Sequence, residues 1–99
     1  MIEKQTGSNG KSVKVIFQLP ADAAQKSVAV VGDFNDWSES KHQMKLDKKK
    51  GVWSKAISLK PNSAYQFRYY IDEQEWRNDD QADRYEQSPY FSENSVIEL

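Results

Sequence analysis

Residues 65–72 read Tyr-Gln-Phe-Arg-Tyr-Tyr-Ile-Asp, and apolar or aromatic side chains occupy every odd-numbered position of this stretch. The even-numbered positions hold Gln, Arg, Tyr and Asp. Successive side chains of a β-strand point to opposite faces of the sheet, so this alternation predicts a strand with one buried and one accessible face.

Further short runs of this kind lie on both sides of that strand, at residues 13–19, 28–32, 42–46, 52–59 and 95–99. Turn-forming residues separate them, among them Pro20, Gly32, Gly51 and Pro61. No window of helical length has a 3.6-residue period. The pattern predicts an all-β protein: an immunoglobulin-like antiparallel β-sandwich of early-set type with six to eight short strands. We expect residues 1–11, polar and rich in Gly and Ser, to be a flexible arm and residues 12–99 to be the module.

Composition limits the possible partners. The 99 residues carry 14 Lys and Arg against 15 Asp and Glu, so no surplus of positive charge favours nucleic acid or an anionic membrane. No apolar run is long enough to span a membrane, and the first residues lack the apolar stretch of a secretory signal. Cysteine is absent, which excludes disulfides and thiolate sites. We therefore expect a cytoplasmic protein with no nucleic-acid or membrane partner.

Two segments carry aromatic side chains at predicted turns. Residues 30–37 read Val-Val-Gly-Asp-Phe-Asn-Asp-Trp, where a strand ends at Gly32, Phe34 returns to the core and Trp37 lies at a loop tip. Residues 67–76 form a strand and a hairpin that ends at Trp76. From position alone, Trp37 either caps the edge of the sandwich or serves a ligand, and Arg68 is either solvated or a ligand contact.

Taken together, these two segments and the last strand, Asn-Ser-Val-Ile-Glu-Leu at residues 94–99, resemble carbohydrate-binding module family 48. That family includes the glycogen-binding domain of the AMP-activated protein kinase β subunit and the N-terminal domains of isoamylases and glycogen branching enzymes. The resemblance runs from about Val13 to Leu99. It implies binding of an α-1,4-linked glucan, either polysaccharide or oligosaccharide.

The resemblance also implies a set of binding residues. The family's two stacking tryptophans match Trp37 and Trp76, its basic strand residue matches Arg68, and the Asn that opens its last strand matches Asn94. Its bulky apolar contact corresponds to Tyr90 or Phe91, and the small hydroxyl that follows corresponds to Ser92.

This sequence departs from the family pattern at two positions of that set. Arg68 replaces the usual Lys, which keeps the charge but presents a planar fork of donors. The hairpin turn at residues 72–76 lacks Gly and has one extra residue, so the direction of Trp76 is open.

No catalytic constellation is present, since there is no Ser with a plausible His partner, no phosphate loop and no deep cleft for a pair of carboxylates. We expect a non-enzymatic protein without a cofactor or metal site, with Trp53 in the core and His42 at the surface. The alternative function is a structural or protein-interaction domain, docking another protein or an enzyme domain, that has lost sugar binding. The first function requires Trp37 and Trp76 to face solvent on one side, and the second requires them to be buried or covered.

Overall fold

The computed structural model describes residues 2–6, 11–88 and 92–99. These form nine strands: β1 Ile2–Thr6, β2 Val13–Pro20, β3 Val28–Gly32, β4 Lys45–Asp47, β5 Val52–Leu59, β6 Ala64–Ile71, β7 Glu75–Arg77, β8 Arg84–Gln87 and β9 Glu93–Glu98. Two 3₁₀ turns, Ala21–Ala23 and Asp33–Asn35, are the only helical elements in these ranges. Among the described residues, no helix has the length and apolarity to cross a membrane.

The strands form two antiparallel sheets. The first sheet has the order β1-β2-β5-β4, and the second has the order β3-β6-β9-β8 with β7 paired beside β6. The protein is therefore an all-β, immunoglobulin-like sandwich, as the sequence predicts.

The core lies between the inner faces of the two sheets. The alternating residues of β2 and β6 enter it, and Phe17, Phe67 and Tyr69 are fully buried. Their rings meet edge to face, with centroids 5.1 Å apart for Phe17 and Phe67. Phe34 packs against this cluster, as expected. Trp53 is also buried, and its Nε1–H donates to the carbonyl of Ala21 at 3.2 Å, which confirms its expected place in the core.

The predicted strand count is too low for the described part of the chain, because β1 and β8 are absent from the prediction and β7 is present in it only as the returning arm of the hairpin that ends at Trp76. These strands are short and mostly exposed, so no hydrophobic alternation marks them. They form because their backbone groups pair with a longer neighbour.

The N-terminal segment is the clearest case. The expectation of a flexible arm is wrong for Ile2–Thr6, which pairs with β2 along its length, while residues 7–10 lie outside the described residues. Ile2 packs against the core, and Lys4 Nζ donates to Asp83 Oδ2 at 2.6 Å and to the carbonyl of Glu98 at 2.9 Å. This strand therefore links the first sheet to the second.

Candidate ligand-binding site

A cavity of about 630 Å³ lies on the outer face of the second sheet, between the turn after β3 and the hairpin that joins β6 to β7. Its walls combine aromatic, basic, acidic, amide and hydroxyl side chains. The lining residues are Asp33, Trp37, Glu39, Gln66, Arg68, Trp76, Ser88, Ser92 and Asn94.

The turn after β3 begins at a point where only glycine fits. A Cβ on Gly32 would lie 2.4 Å from the carbonyl oxygen of Gln66, so the close approach of β3 to β6 excludes any side chain. The next residues form the 3₁₀ turn, and Asp36 and Trp37 then adopt the left-handed conformation, with φ of 56° and 57°. This backbone path directs Trp37 to the cavity.

Asn35 holds that turn from inside. Its side chain is buried, and Oδ1 accepts hydrogen bonds from the backbone N–H of Gly32 at 3.1 Å and of Ser38 at 3.3 Å. Its Nδ2 donates to the carbonyl of Val30 at 2.8 Å and lies 2.9 Å from His42 Nδ1. A buried amide with all of these partners makes the turn a rigid support.

His42 is half-buried against this turn, so it is partly accessible and less exposed than a freely solvated surface residue. Because Asn35 Nδ2 is a donor, His42 Nδ1 must accept, which requires the neutral ring. Burial lowers the pKa of His42 below its usual value, and the charges of Lys55 and Lys41 lower that pKa further. The electrostatics therefore favour the protonation state that the hydrogen bond requires.

The ring of Trp37 is half-buried and tied at its nitrogen. Its Nε1–H donates to Asp33 Oδ1 at 3.0 Å, and its backbone N–H donates to the carbonyl of Gly32 at 2.9 Å. The other carboxylate oxygen of Asp33 accepts the backbone N–H of Gln66 at 2.9 Å. The ring is thus connected through one carboxylate to the central strand of the second sheet.

Trp76 reaches the same cavity from the hairpin side and is 41% exposed. One face of its ring stacks on Tyr70, with centroids 4.4 Å apart and an interplanar angle of 27°. Tyr70 is held in turn, because its hydroxyl donates to the carbonyl of Glu73 at 2.8 Å.

The hairpin turn accommodates the missing glycine. Asp72 and Glu73 both have positive φ, and Asp is among the residues that tolerate this conformation. The carboxylate of Asp72 accepts backbone N–H groups of Gln25, Lys26 and Ser27 at 2.7–3.1 Å. These hydrogen bonds lower the pKa of Asp72 below its usual value. The turn is therefore anchored to the loop before β3, and Trp76 is directed to the cavity despite the altered sequence.

A hydrogen-bonded line crosses the cavity floor between the two tryptophans. Arg68 Nε donates to Asn94 Oδ1 at 2.6 Å, and Arg68 Nη2 donates to Ser92 Oγ. Asn94 Nδ2 donates to Gln66 Oε1 at 2.9 Å. A guanidinium has five N–H groups, so among the described residues Arg68 keeps three beyond these two contacts. Asn94 is only 7% exposed and mainly orients the guanidinium.

Five residues expected from the sequence therefore lie together in one cavity: Trp37, Arg68, Trp76, Ser92 and Asn94. Tyr90 and Phe91 lie outside the described residues. The sequence prediction omitted Asp33, Glu39, Gln66 and Ser88. Gln66 was detectable, since it lies two residues before Arg68 and shares its strand face, whereas the others depend on how the loops fold.

No group of three or more acidic or imidazole side chains within the described ranges is arranged to hold a metal ion. Asp79, an acidic residue near the hairpin, is fully buried and accepts the hydroxyl of Tyr69 at 2.5 Å. Burial of Tyr69 and the neighbouring charge of Asp79 raise the pKa of that phenol well above its usual value. This pair is part of the folded core and lies apart from the cavity.

A two-sheet antiparallel sandwich with an accessible cavity of tryptophan, arginine and amide side chains has the aromatic faces and hydrogen-bonding groups that a carbohydrate-binding module requires. The family model described as carbohydrate-binding module 48 (isoamylase N-terminal domain) matches residues 5–90. The chain belongs to this family. The match includes Trp37, Arg68 and Trp76, while Ser92 and Asn94 follow the matched range: Asn94 lies on β9 and Ser92 comes directly before that strand.

Proposed function

We propose that this module binds α-1,4-linked glucan, the linkage of glycogen, starch and maltooligosaccharides, in the cavity between Trp37 and Trp76. The observation that carries the proposal is that both tryptophans line one cavity, with the Arg68–Asn94 pair between them. These three kinds of side chain supply both interactions that a sugar needs, namely an aromatic face and hydroxyl partners.

The aromatic contribution follows from the chemistry of the sugar ring. The C–H face of a glucose unit is weakly positive and packs on the negative face of an aromatic ring. Tyr70 covers one face of Trp76, which leaves the other face for a glucose unit. We expect Trp37 to provide the second platform, at an angle to the first, because one ring follows a loop and the other a hairpin.

The polar contribution comes from the cavity floor. Hydroxyl groups at the rim of a glucose unit both donate and accept hydrogen bonds. Arg68 offers charge-assisted donors, and its planar group is already oriented by Asn94 and Ser92. A guanidinium held in place before binding loses less conformational freedom when the ligand arrives. The bulky contact expected from Tyr90 or Phe91 would add to this site.

The linkage selectivity can be tested with two oligosaccharides. We expect maltoheptaose or β-cyclodextrin to bind with a Kd in the micromolar to millimolar range, about -4 to -8 kcal/mol, and cellohexaose not to bind. Two angled platforms suit a curved α-glucan, whereas a flat β-1,4 chain favours coplanar rings. NMR of the three indole N–H signals would follow binding, and the buried Trp53 serves as an internal reference.

Two controls make this test specific. Tyr85 is as exposed as Trp76 but does not line the cavity, so Tyr85→Ala should leave the affinity unchanged. Arg68→Ala should weaken binding more than Arg68→Lys, because Lys keeps the charge. Equal shifts with cellohexaose and maltoheptaose would reject the linkage assignment.

The alternative, an interaction domain that has lost sugar binding, would require the two rings to be buried or covered. Within this chain Trp76 is 41% exposed and Trp37 is half-buried, and both line the cavity, so neither ring is part of the folded core, which supports the sugar-binding function. A protein that retains its fold but is captured by neither insoluble glycogen nor starch would support the alternative instead.

A further inference from the structure

We propose that Asp33 is a positioning residue that sets the ring plane of Trp37 before a glucan arrives. The inference rests on the proposed function and deepens it, since it concerns how one of the two aromatic platforms is oriented. Its basis is that each oxygen of the Asp33 carboxylate accepts one N–H group, from the Trp37 ring and from the β6 backbone.

The backbone alone does not determine where the Trp37 ring lies. A tryptophan side chain has two rotatable bonds, χ1 and χ2, and its stacking face changes direction with both. The bond from Trp37 Nε1–H to Asp33 Oδ1, at 3.0 Å, restrains the far end of the ring and therefore restrains both torsions. A carboxylate acceptor makes this bond stronger than one between neutral groups.

Asp33 is itself restrained by the central strand of the second sheet. Its Oδ2 accepts the backbone N–H of Gln66 at 2.9 Å, and Gln66 is two residues from Arg68 on the same strand face. The carboxylate thus aligns the ring with the strand that carries the guanidinium. The Trp37 ring and the Arg68 guanidinium are therefore both fixed relative to β6 before the ligand binds, which reduces the conformational entropy lost on binding.

This arrangement also determines which part of the Trp37 ring can contact the sugar. The indole N–H is the only hydrogen-bond donor of the ring, and Asp33 occupies it. The ring therefore offers the sugar its face and not its nitrogen. Trp76 is oriented differently, by stacking on Tyr70, so a carboxylate is needed on one side of the cavity only.

The first test uses the ligand-free protein. In Asp33→Ala, we expect the Trp37 indole N–H signal to move and its hydrogen exchange to accelerate, while the Trp53 signal stays unchanged. Asp36→Asn is the matched control, because it removes one negative charge from the same loop and Asn tolerates the positive φ of 56°. That control should leave the Trp37 signal in place. An unchanged Trp37 signal in Asp33→Ala would overturn the proposal.

The second test separates positioning from direct contact with the sugar. We expect Asp33→Ala to weaken maltoheptaose binding about three- to tenfold, the range for freeing one ordered side chain. In a Trp37→Ala background, the same substitution should have no further effect, because the group it positions is absent. An equal loss in both backgrounds would mean that Asp33 contacts the ligand itself, and the positioning role would fall.

Asp33→Asn provides the conservative variant and protects the test against misfolding. Its carbonyl oxygen can still accept the indole N–H, so we expect affinity and exchange between those of the wild type and of Asp33→Ala. Complete loss of the Trp37 indole hydrogen bond in Asp33→Asn, with the fold retained, would contradict this. If the wild type fails to bind maltoheptaose, the proposed function fails, whereas the ligand-free exchange still reports whether Asp33 restrains the ring.

Discussion

The two tryptophans of the cavity are held in opposite ways. Trp37 follows a turn fastened by a buried amide, and its own ring nitrogen is bonded to a carboxylate. Trp76 lies on a three-residue strand, is 41% exposed and rests on the face of Tyr70. Directional hydrogen bonds hold the first ring, and a stacking contact without directional bonds holds the second.

The difference has an energetic consequence. Changes in the Trp37 turn break the carboxylate hydrogen bonds of Asp33 or the buried hydrogen bonds of Asn35, so they should alter folding stability together with ligand affinity. Changes at Trp76 remove an exposed ring from a sheet edge, so affinity should change while stability hardly does. The four predictions below test this contrast, from the largest expected effect to the smallest.

The largest effect should come from Gly32→Ala at the start of the Trp37 turn. The new methyl group would lie 2.4 Å from a backbone carbonyl of β6, which cannot give way as a flexible side chain does. We expect a loss of about 3 kcal/mol in the free energy of unfolding, the upper end for overpacking. Urea unfolding would measure it. Gly51→Ala, where nothing lies within 4 Å but φ is 69°, should lose only about 1 kcal/mol, and equal losses would contradict the close-approach argument.

The two tryptophan truncations should separate affinity from stability. We expect Trp37→Ala and Trp76→Ala each to weaken maltoheptaose binding by about 2 kcal/mol, as for buried aromatic contacts in interfaces. Trp37→Ala should also cost about 1 kcal/mol of folding stability through the lost hydrogen bond to Asp33. Calorimetric titration and thermal unfolding of both variants would show whether only the first is destabilised. A larger drop in stability for Trp76→Ala would reverse the contrast.

Mild acid should first reduce the folding stability that comes from the turn carrying Trp37. The pKa of His42 is lowered in the folded protein, so the unfolded chain takes up its proton more readily. The stability that the neutral ring supplies is therefore present above pH 6.5 and lost as the pH falls below it. His42 is the only histidine, so urea unfolding between about pH 5 and 7 isolates its effect. His42→Gln remains neutral and can accept a hydrogen bond from Asn35. In this variant the free energy of unfolding should therefore depend less on pH between about pH 5 and 7.

The smallest effect should occur on the Trp76 side at stronger acidity. The folded pKa of Asp72 lies below its usual 3.8, so its contribution is present above that pH and is lost as the pH falls through the lower folded value. We expect the Trp76 indole signal to broaden or move only in this range. Asp72→Asn should remove most of the change, since Asn does not titrate and tolerates the positive φ of 53°. A wild-type transition in the Trp76 signal at the pH where the folded His42 titrates, below its usual 6.5, would contradict the separation of the two sides.

Most of the fold was predictable from side-chain alternation. The long strand β2 buries every second residue, and β5 and β6 do so except at Lys55 and Tyr65, which are half-buried; that period is visible in the sequence. The strands β1 and β8 were not predictable, because pairing with a neighbour and not burial creates them. The same limit applies to His42, whose half-buried position depends on the turn that it packs against.

The site divides in the same way. The sequence by itself determined the types and order of the principal residues, since Trp37, Arg68 and Trp76 belong to motifs read from the chain. Only the tertiary structure decided that they share a cavity with Ser92 and Asn94, and that Asp33 holds one ring while Tyr70 holds the other. The physical reason is that β6 pairs with both β3 and β9, so that Asp33 and Asn94, 61 positions apart in the sequence, line the same cavity. Side-chain alternation shows which residues of a strand are buried, but it carries no information about which strands become neighbours.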